Sequence, residues 1–431
     1  MIRRYATPLA RIWSEEARIR RWLLVEATVA EVEERLGIVP EGTSAGLKGL
    51  KLDLGRIAEI EKVVGHDIIA FLLAIKEKKR RNVDFVHYGL TSYDLVDTAL
   101  SMALQESGQI ILKSLKELAS VLKRKAKAYQ DQPIMGRTHG MFAEPTLLGL
   151  KFLSFYEETK RNIQRLRLAI EEISYGKISG AVGTYSQLSP KVERMVLRRL
   201  GLKPEPVSTQ IIPRDRHSFF LSALALIAAG LERIGLEVRL LSRSEVGEFQ
   251  EPFGKGQRGS SAMPHKKNPI LSERISGLAR VIRGYLTCAL ENISLWHERD
   301  ISHSSVERII LPDATVLSHY MVNLTIRILK GLVVDKKRIE ENLKNGFEVY
   351  FSQRLMLSLI TKGKDKDWIY QKIQSLSFEA MKRRVSLKEL VVGDPDLKGD
   401  LTEKEIERIF SLKELLKNTD TIYTRSLNSS P

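Results

Sequence analysis

Proline placement constrains this chain more than any other feature. No proline stands between Pro40 and Pro133, Pro145 and Pro190, Pro213 and Pro252, Pro269 and Pro312, or Pro312 and Pro395. Proline lacks the amide N–H and clashes with the preceding turn, so helix interiors exclude it. These windows therefore leave room for long helices, and their patterning fills them. Ile163, Leu166, Ile170 and Ile173 recur at helical spacing among Glu, Lys and Arg. Pro145 to Tyr175 is about 30 residues, or about 45 Å of helix, with Pro145 suited to a first turn and Gly176 to a stop. Phe219 to Leu240 is apolar nearly all round at its start, the pattern of a helix buried among helices. Ile270 to Trp296 and Asp313 to Leu332 predict two more helices. Alternating strand patterns are few. The expected fold is all-α, with three helical domains around a central bundle of long helices: 1–90, 91–340 and 341–431. The first ends near the Gly89-Leu90-Thr91-Ser92 turn, and the last holds the turn Gly393-Asp394-Pro395-Asp396. The tail Ser426 to Pro431 is expected to fray. There is no internal repeat.

Composition narrows the function classes. Cys288 is the only cysteine of the 431 residues, which excludes a disulfide framework and a cysteine-based metal cluster. It reads as a small hydrophobe on a helix. No signal-peptide run follows Met1-Ile2-Arg3-Arg4-Tyr5. The most apolar window, Phe219 to Leu231, is shorter than the roughly 20 residues a bilayer needs. A soluble, cytoplasmic protein without a membrane partner is expected. Lys+Arg number 69 and Asp+Glu 53, a net charge of +16. That excess permits nucleic acid, an anionic membrane surface or a polyanionic small substrate. The basic residues are spread along helices and mixed with Glu rather than clustered with aromatics, so nucleic acid is not the expected partner.

One segment does not belong in a bundle. Residues 252–269, from Pro252-Phe253-Gly254 to Lys267-Asn268-Pro269, hold three glycines, three prolines, four cations and no acid between two helical stretches. Long loops in compact proteins are mostly functional or disordered. Gly254-x-Gly256-x-x-Gly259 matches the dinucleotide fingerprint, but that motif needs a strand before it, and Leu236 to Glu248 upstream reads as helix. A Walker A loop fails because Ser260 stands in the lysine position. What remains is a mobile, glycine-hinged cationic loop suited to capping an anionic ligand. His297-Glu298 is followed by Ile301 where a zinc motif needs histidine, and the eight histidines form no ligand cluster. No metal and no organic cofactor are expected.

Within that loop, Gly259-Ser260-Ser261-Ala262-Met263-Pro264-His265-Lys266-Lys267-Asn268-Pro269 closely resembles the signature G-S-S-x-M-P-x-K-x-N-P of the fumarase/aspartase superfamily. His265 in the slot after the proline suits the adenylosuccinate-cleaving branch; fumarases carry glycine there and argininosuccinate lyases glutamine. Supporting pieces are Arg4-Tyr5 followed by Trp13-Ser14-Glu15-Glu16, then Gly65-His66-Asp67, His87-Tyr88-Gly89-Leu90-Thr91-Ser92, Gly136-Arg137-Thr138-His139-Gly140 and Trp296-His297-Glu298-Arg299. The resemblance runs from residue 2 to about 355, and the remainder carries little signature.

The resemblance implies β-elimination: fumarate leaves adenylosuccinate, giving AMP, or leaves the succinylated aminoimidazole carboxamide ribotide. It implies Ser260 as the base, activated by adjacent N–H groups and Lys266, with Ser261 the lesser candidate. His139 is the implied acid, paired with Glu273. It places His66, with Asp67 beside it, near the reacting bond. Lys266, Asn268 and Gln210 hold the succinyl carboxylates, and Met263 belongs to the same loop. Thr91 and Ser92 read as a helix N-cap with Asp94, which also suits an anion; Thr138 has the same dual reading. Arg299, Ser304 and Arg308, with Arg4 and Tyr5, match the phosphate-holding pattern. A homotetramer with sites shared among three subunits is implied. Tyr93 and Phe142 depart from the family, which usually has a small polar residue and a histidine there. Other branches (argininosuccinate lyase, carboxymuconate cycloisomerase) and a basic nucleic-acid-binding helical protein are the alternatives.

Overall fold

The computed structural model describes residues 2–254 and 256–427; Met1, Lys255 and residues 428–431, most of the tail expected to fray, lie outside the described residues. The fold is all-α. Its longest helices are Glu15–Arg35, Ser92–Ala128, Leu148–Ile173, Asp215–Leu241, Ile270–Glu291 and Ser302–Gly331. Two of them, Asp215–Leu241 and Ser302–Gly331, are long and apolar enough to cross a bilayer by length and composition, so the window read as too short is part of a longer helix. Most of each apolar window is buried inside the chain.

Three helix ends differ from the sequence reading, each for a physical reason. Pro145 does not open a helix; it lies in the strand Met141–Leu147 opposite Met135, and the helix begins at Leu148. The 270 helix stops at Glu291 rather than Trp296, and the chain turns where the Trp296 N–H donates to Asp300 Oδ2 at 2.8 Å. The helix predicted to begin at Asp313 begins eleven residues earlier, at Ser302, and runs through Pro312. Leu311, Ala314 and Val316 are fully buried around the proline. Packing of that apolar stripe outweighs the lost N–H, which costs about 3 kcal/mol in an unsupported helix.

The chain forms two compact units. One comprises Met1–Lys116, Arg161–Leu231 and Ile275–Leu324; the other comprises Glu117–Lys160, Glu232–Arg274 and Thr325–Pro431. The first has a core in which Trp22 meets Phe71 edge-on at 5.5 Å among Val25, Val29, Ile68 and Val196. Its Glu15–Arg35 helix is capped by Ser14, whose Oγ accepts from the Ala17 N–H at 3.2 Å, with Glu15 and Glu16 in the first turn. The second unit has a core of Phe351, Leu355, Leu359, Ile369, Ile373 and Leu387. Cys288 lies on a helix as expected, but is exposed.

The second unit also holds an antiparallel hairpin, Pro133–Thr138 with Met141–Leu147, absent from the sequence reading. Its two-residue loop is His139-Gly140, both left-handed at φ 53° and 79°, the combination that matches the right-handed strand twist. A bulge falls between Met135 and Arg137. Gly136 fills it, and a Cβ there would stand 2.3 Å from the Glu144 carbonyl oxygen. Only glycine fits without moving backbone. Gly136→Ala is expected to lower stability by about 1–3 kcal/mol, read as a lower urea midpoint in equilibrium unfolding; an unchanged midpoint would mean that the bulge has room to relax.

Candidate active site

The loop at 252–269 is closed on itself within the second unit. Ser260 Oγ accepts two backbone N–H bonds, from Ala262 at 3.2 Å and Met263 at 3.1 Å. Asn268 Nδ2 donates to the Gly259 carbonyl at 3.0 Å, and a Cβ on Gly259 would lie 2.0 Å from the Lys266 carbonyl oxygen. Glycine is therefore required where the two limbs of the loop touch. The exit is anchored by Glu251, whose carboxylate accepts the Leu271 and Ser272 N–H groups at 3.0 and 2.7 Å. That cap places a negative charge on the free N–H groups of the Ile270–Glu291 helix. Ser260 is half-buried, while Ser261, Met263, His265 and Lys266 face solvent. Two neighbouring N–H donors aimed at one serine oxygen stabilise that oxygen as an anion. A short strand, Phe249–Gln250, does precede this loop, contrary to the upstream helix read to Glu248; it pairs antiparallel with Val333–Val334 and no helix opens before Ile270. The dinucleotide motif fails on that ground too.

The hairpin presents His139 at its tip, with Thr138 and His139 both exposed. Arg137 anchors it. Its guanidinium meets Glu248 bidentately at 3.0 and 2.8 Å, and Glu248, fully buried, also accepts from Asn342 Nδ2 at 2.8 Å. Arg137 also lies 5.4 Å from the Phe142 ring centroid, which gives Phe142 a place in the anchor. Glu273 is exposed, and among the described residues no hydrogen bond or ion pair joins it to His139. The pairing expected from sequence is not made within this chain.

The first unit gathers another set. A cavity of about 410 Å³ is lined by Asp67, Ser304 and Arg308, together with Tyr93, Trp13 and Trp22. Arg308 Nη2 meets Asp67 Oδ2 at 3.0 Å. Asp67 starts the Asp67–Lys76 helix, and its Oδ1 accepts the Ile68 N–H at 2.8 Å, which leaves His66 half-exposed at the N-cap. Arg299 Nη1 donates to Gln210 Oε1 at 2.8 Å. Thr91 caps the Ser92–Ala128 helix as read from sequence: its N–H reaches Asp94 Oδ2 at 2.9 Å. Asp94 Oδ1 takes the buried Lys177 ammonium and the N–H groups of Ser179 and Gly180. Arg4 is exposed and Tyr5 packs on Tyr320 at 5.3 Å; neither lines this cavity.

Behind Arg299 lies a cluster that sequence reasoning missed. Arg214, fully buried, meets Asp97 at 2.7 Å and Glu307 at 2.9 Å. Its Nη2 also lies 3.4 Å from His303 Nδ1. Burial works to raise the Glu307 carboxyl, but Arg214 and His303 outweigh it and hold the carboxyl at about 2. The only sequence signal was Asp97, His303 and Glu307 at helical spacings on two helices, indistinguishable from surface charge without the fold. His217 shares the cluster with both ring nitrogens unbonded.

Comparison with known proteins places the chain in a family. Residues 55–284 match the lyase family model, and residues 348–426 match the model of the adenylosuccinate lyase C-terminus. The chain is 48% identical over 427 residues to adenylosuccinate lyase of Thermotoga maritima, which covers 99% of each chain. It is 45% identical to that of Bacillus subtilis, again over 99% of each. In structure it resembles a fumarate lyase from Mesorhizobium sp. BNC1 (TM-score 0.90, 22% identity, 99% of each chain). It also resembles the 3-carboxy-cis,cis-muconate lactonizing enzyme of Pseudomonas putida (TM-score 0.89, 26% identity, 98% and 97%). The chain is thus a lyase with the fumarase/aspartase fold. Within that class it belongs to the adenylosuccinate lyase family, and the likeness continues past residue 355, where the sequence reading found little signature.

One pH effect follows from the buried cluster. Burial, with help from Arg214, pushes the His217 pKa from 6.5 down to about 4. The folded state keeps this ring neutral while the unfolded chain protonates it below 6.5, so stability is lost as pH falls from about 6.5 to about 4, by on the order of 3 kcal/mol. His217→Leu is expected to flatten that acid limb in denaturant titrations across this range; an unchanged slope would place the acid sensitivity elsewhere.

Proposed function

We propose that this enzyme eliminates fumarate from adenylosuccinate, leaving AMP, and from succinyl-aminoimidazole carboxamide ribotide, leaving the free amine. The observation that carries the mechanism is the Ser260 oxygen held by two backbone N–H groups. As an alkoxide, stabilised by those donors and, in the bound state, by the Lys266 charge, Ser260 takes the Cβ proton of the succinyl group. The electron pair moves into the adjacent carboxylate and then forms the C=C bond as the C–N bond breaks. His139 gives a proton to the departing nitrogen, and Glu273 orients that imidazole. One proton is gained by serine and one lost by histidine, so the two groups must be reset between turnovers.

Binding divides by charge. Lys266, Asn268, Gln210, Thr91, Ser92 and Thr138 hold the two carboxylates, with Ser261 and Met263 beside them on the loop. Arg299, Ser304, Arg308, Arg4 and Tyr5 hold the phosphate, and His66 with Asp67 flanks the reacting bond. His139 and Glu273 do not meet within one chain, which supports sites assembled from several copies of a homotetramer. Exposed apolar residues on the Asp215–Leu241 helix support self-association: Phe219, Leu226, Leu236 and Leu240 lie exposed along it, interrupted by Arg233, which pairs with Glu158. The cytoplasm is the proposed location.

Offered separately, adenylosuccinate should release fumarate and argininosuccinate should not; the reverse pattern would sink this function. Ser260→Ala and His139→Ala should each lower kcat by about 10²- to 10⁴-fold without altering the circular dichroism spectrum. Near-normal turnover in either variant would remove that residue from the chemistry.

A further inference from the structure

Tyr93 is one of the two positions at which the sequence departs from the family resemblance, and its surroundings give it a role. It is nearly buried, in the first turn of the Ser92–Ala128 helix. The Arg299 guanidinium carbon lies 3.7 Å from its ring centroid, closer than any but one of the described cation–ring contacts. The rings of Tyr93 and His303 meet edge-on, with centroids 5.6 Å apart and planes at 86°. Its hydroxyl sits near Ser304, which works against the upward push that burial gives the phenol pKa. Arg299 is held on two further sides, Nη1 by Gln210 at 2.8 Å and Nε by His303 Nε2 at 3.4 Å. His303 is itself fixed by Glu307 at 3.3 Å, and Glu307 by the buried Arg214. Among the described residues nothing bonds Arg299 Nη2, so the fork has one end left for an anionic ligand.

We propose that Tyr93 is a positioning residue of the phosphate pocket: its ring is the plate that holds Arg299 in one direction before ligand arrives. This rests on the assignment of Arg299 to the substrate phosphate. A small residue in this place fills neither the space nor the π face, so Arg299 would sample several rotamers and lose affinity on ordering. The effect belongs to ground-state binding of the phosphate end, remote from the reacting bond. It should therefore appear in KM and in product affinity rather than in kcat.

The test uses the full-length enzyme with Tyr93→Phe, which keeps the ring, and Tyr93→Leu, which fills the site without a π face. KM for adenylosuccinate and calorimetric Kd for AMP and adenosine are measured for each. Tyr93→Leu should raise KM and the AMP Kd by roughly 3- to 30-fold, with kcat within about twofold and adenosine affinity unchanged. Tyr93→Phe should stay within about twofold of the parent in all four. Unchanged AMP affinity in Tyr93→Leu, equal losses in both variants, or a loss confined to kcat would overturn the positioning role. Arg299→Gln is the control for the assignment beneath it: an AMP Kd that this change leaves unaltered would overturn that assignment and the proposal with it. Absence of fumarate from the parent enzyme, with AMP binding still sensitive to Arg299 and Tyr93, would instead overturn the proposed reaction alone.

Discussion

The first unit depends on burying one guanidinium between two carboxylates. Arg214 ties Asp97, on the helix that begins at Ser92, to Glu307, on the helix that begins at Ser302. An unpaired charge at this depth would cost several kcal/mol, so the three groups must be buried together or not at all. The cost of desolvation is offset by near-ideal geometry: Asp97 takes both Nη atoms at 2.7 and 2.9 Å, and also the Ile212 N–H at 2.8 Å. Once these helices are fixed, so are Tyr93 one turn before Asp97, and Arg299, Ser304 and Arg308 around Glu307. The buried ion pairs thus fix the elements on which the pocket residues sit.

The second unit solves a different problem. A serine hydroxyl is a poor base, and Ser260 is made into a candidate one by backbone alone. Two N–H groups converge on its oxygen because the loop is cinched at Gly259 and Asn268 and capped at its exit by Glu251. Among the described residues, Arg258, Lys266 and Lys267 stay exposed, in reach of an anionic ligand, while the loop's fold is held by backbone, Asn268 and Glu251 hydrogen bonds. This separates the two parts of the +16 charge. A few cations in the loop and around Arg299 and Arg308 have a proposed ligand; the rest is distributed over helix surfaces and has no structural explanation here.

Much of this was legible in sequence. Proline-free windows located the long helices, since chain length and the proline penalty act locally. The loop was legible because eleven consecutive residues carry its chemistry. What escaped was set by tertiary context. Pro312 sits within a helix because its neighbours are fully buried, and a propensity rule cannot see burial. The hairpin that carries His139 depends on Gly136 passing against Glu144 and on Arg137 reaching Glu248, more than a hundred residues away. Arg214, Asp97 and Glu307 look like ordinary charges until three helices converge. Asp67 and Arg308, both read as ligand-binding residues, bind one another; nothing in their sequence neighbourhoods foretells that pair.

The proposed sharing of sites between subunits is tested most directly by mixing two inactive variants. Ser260→Ala and His139→Ala, unfolded together and refolded as a mixture, should regain turnover, because a site drawing serine from one copy and histidine from another is intact in about one case in four. Each variant refolded alone should stay inactive. A mixture as inactive as its parts, with the tetramer intact by light scattering, would contradict the proposal that these two groups meet across a subunit boundary.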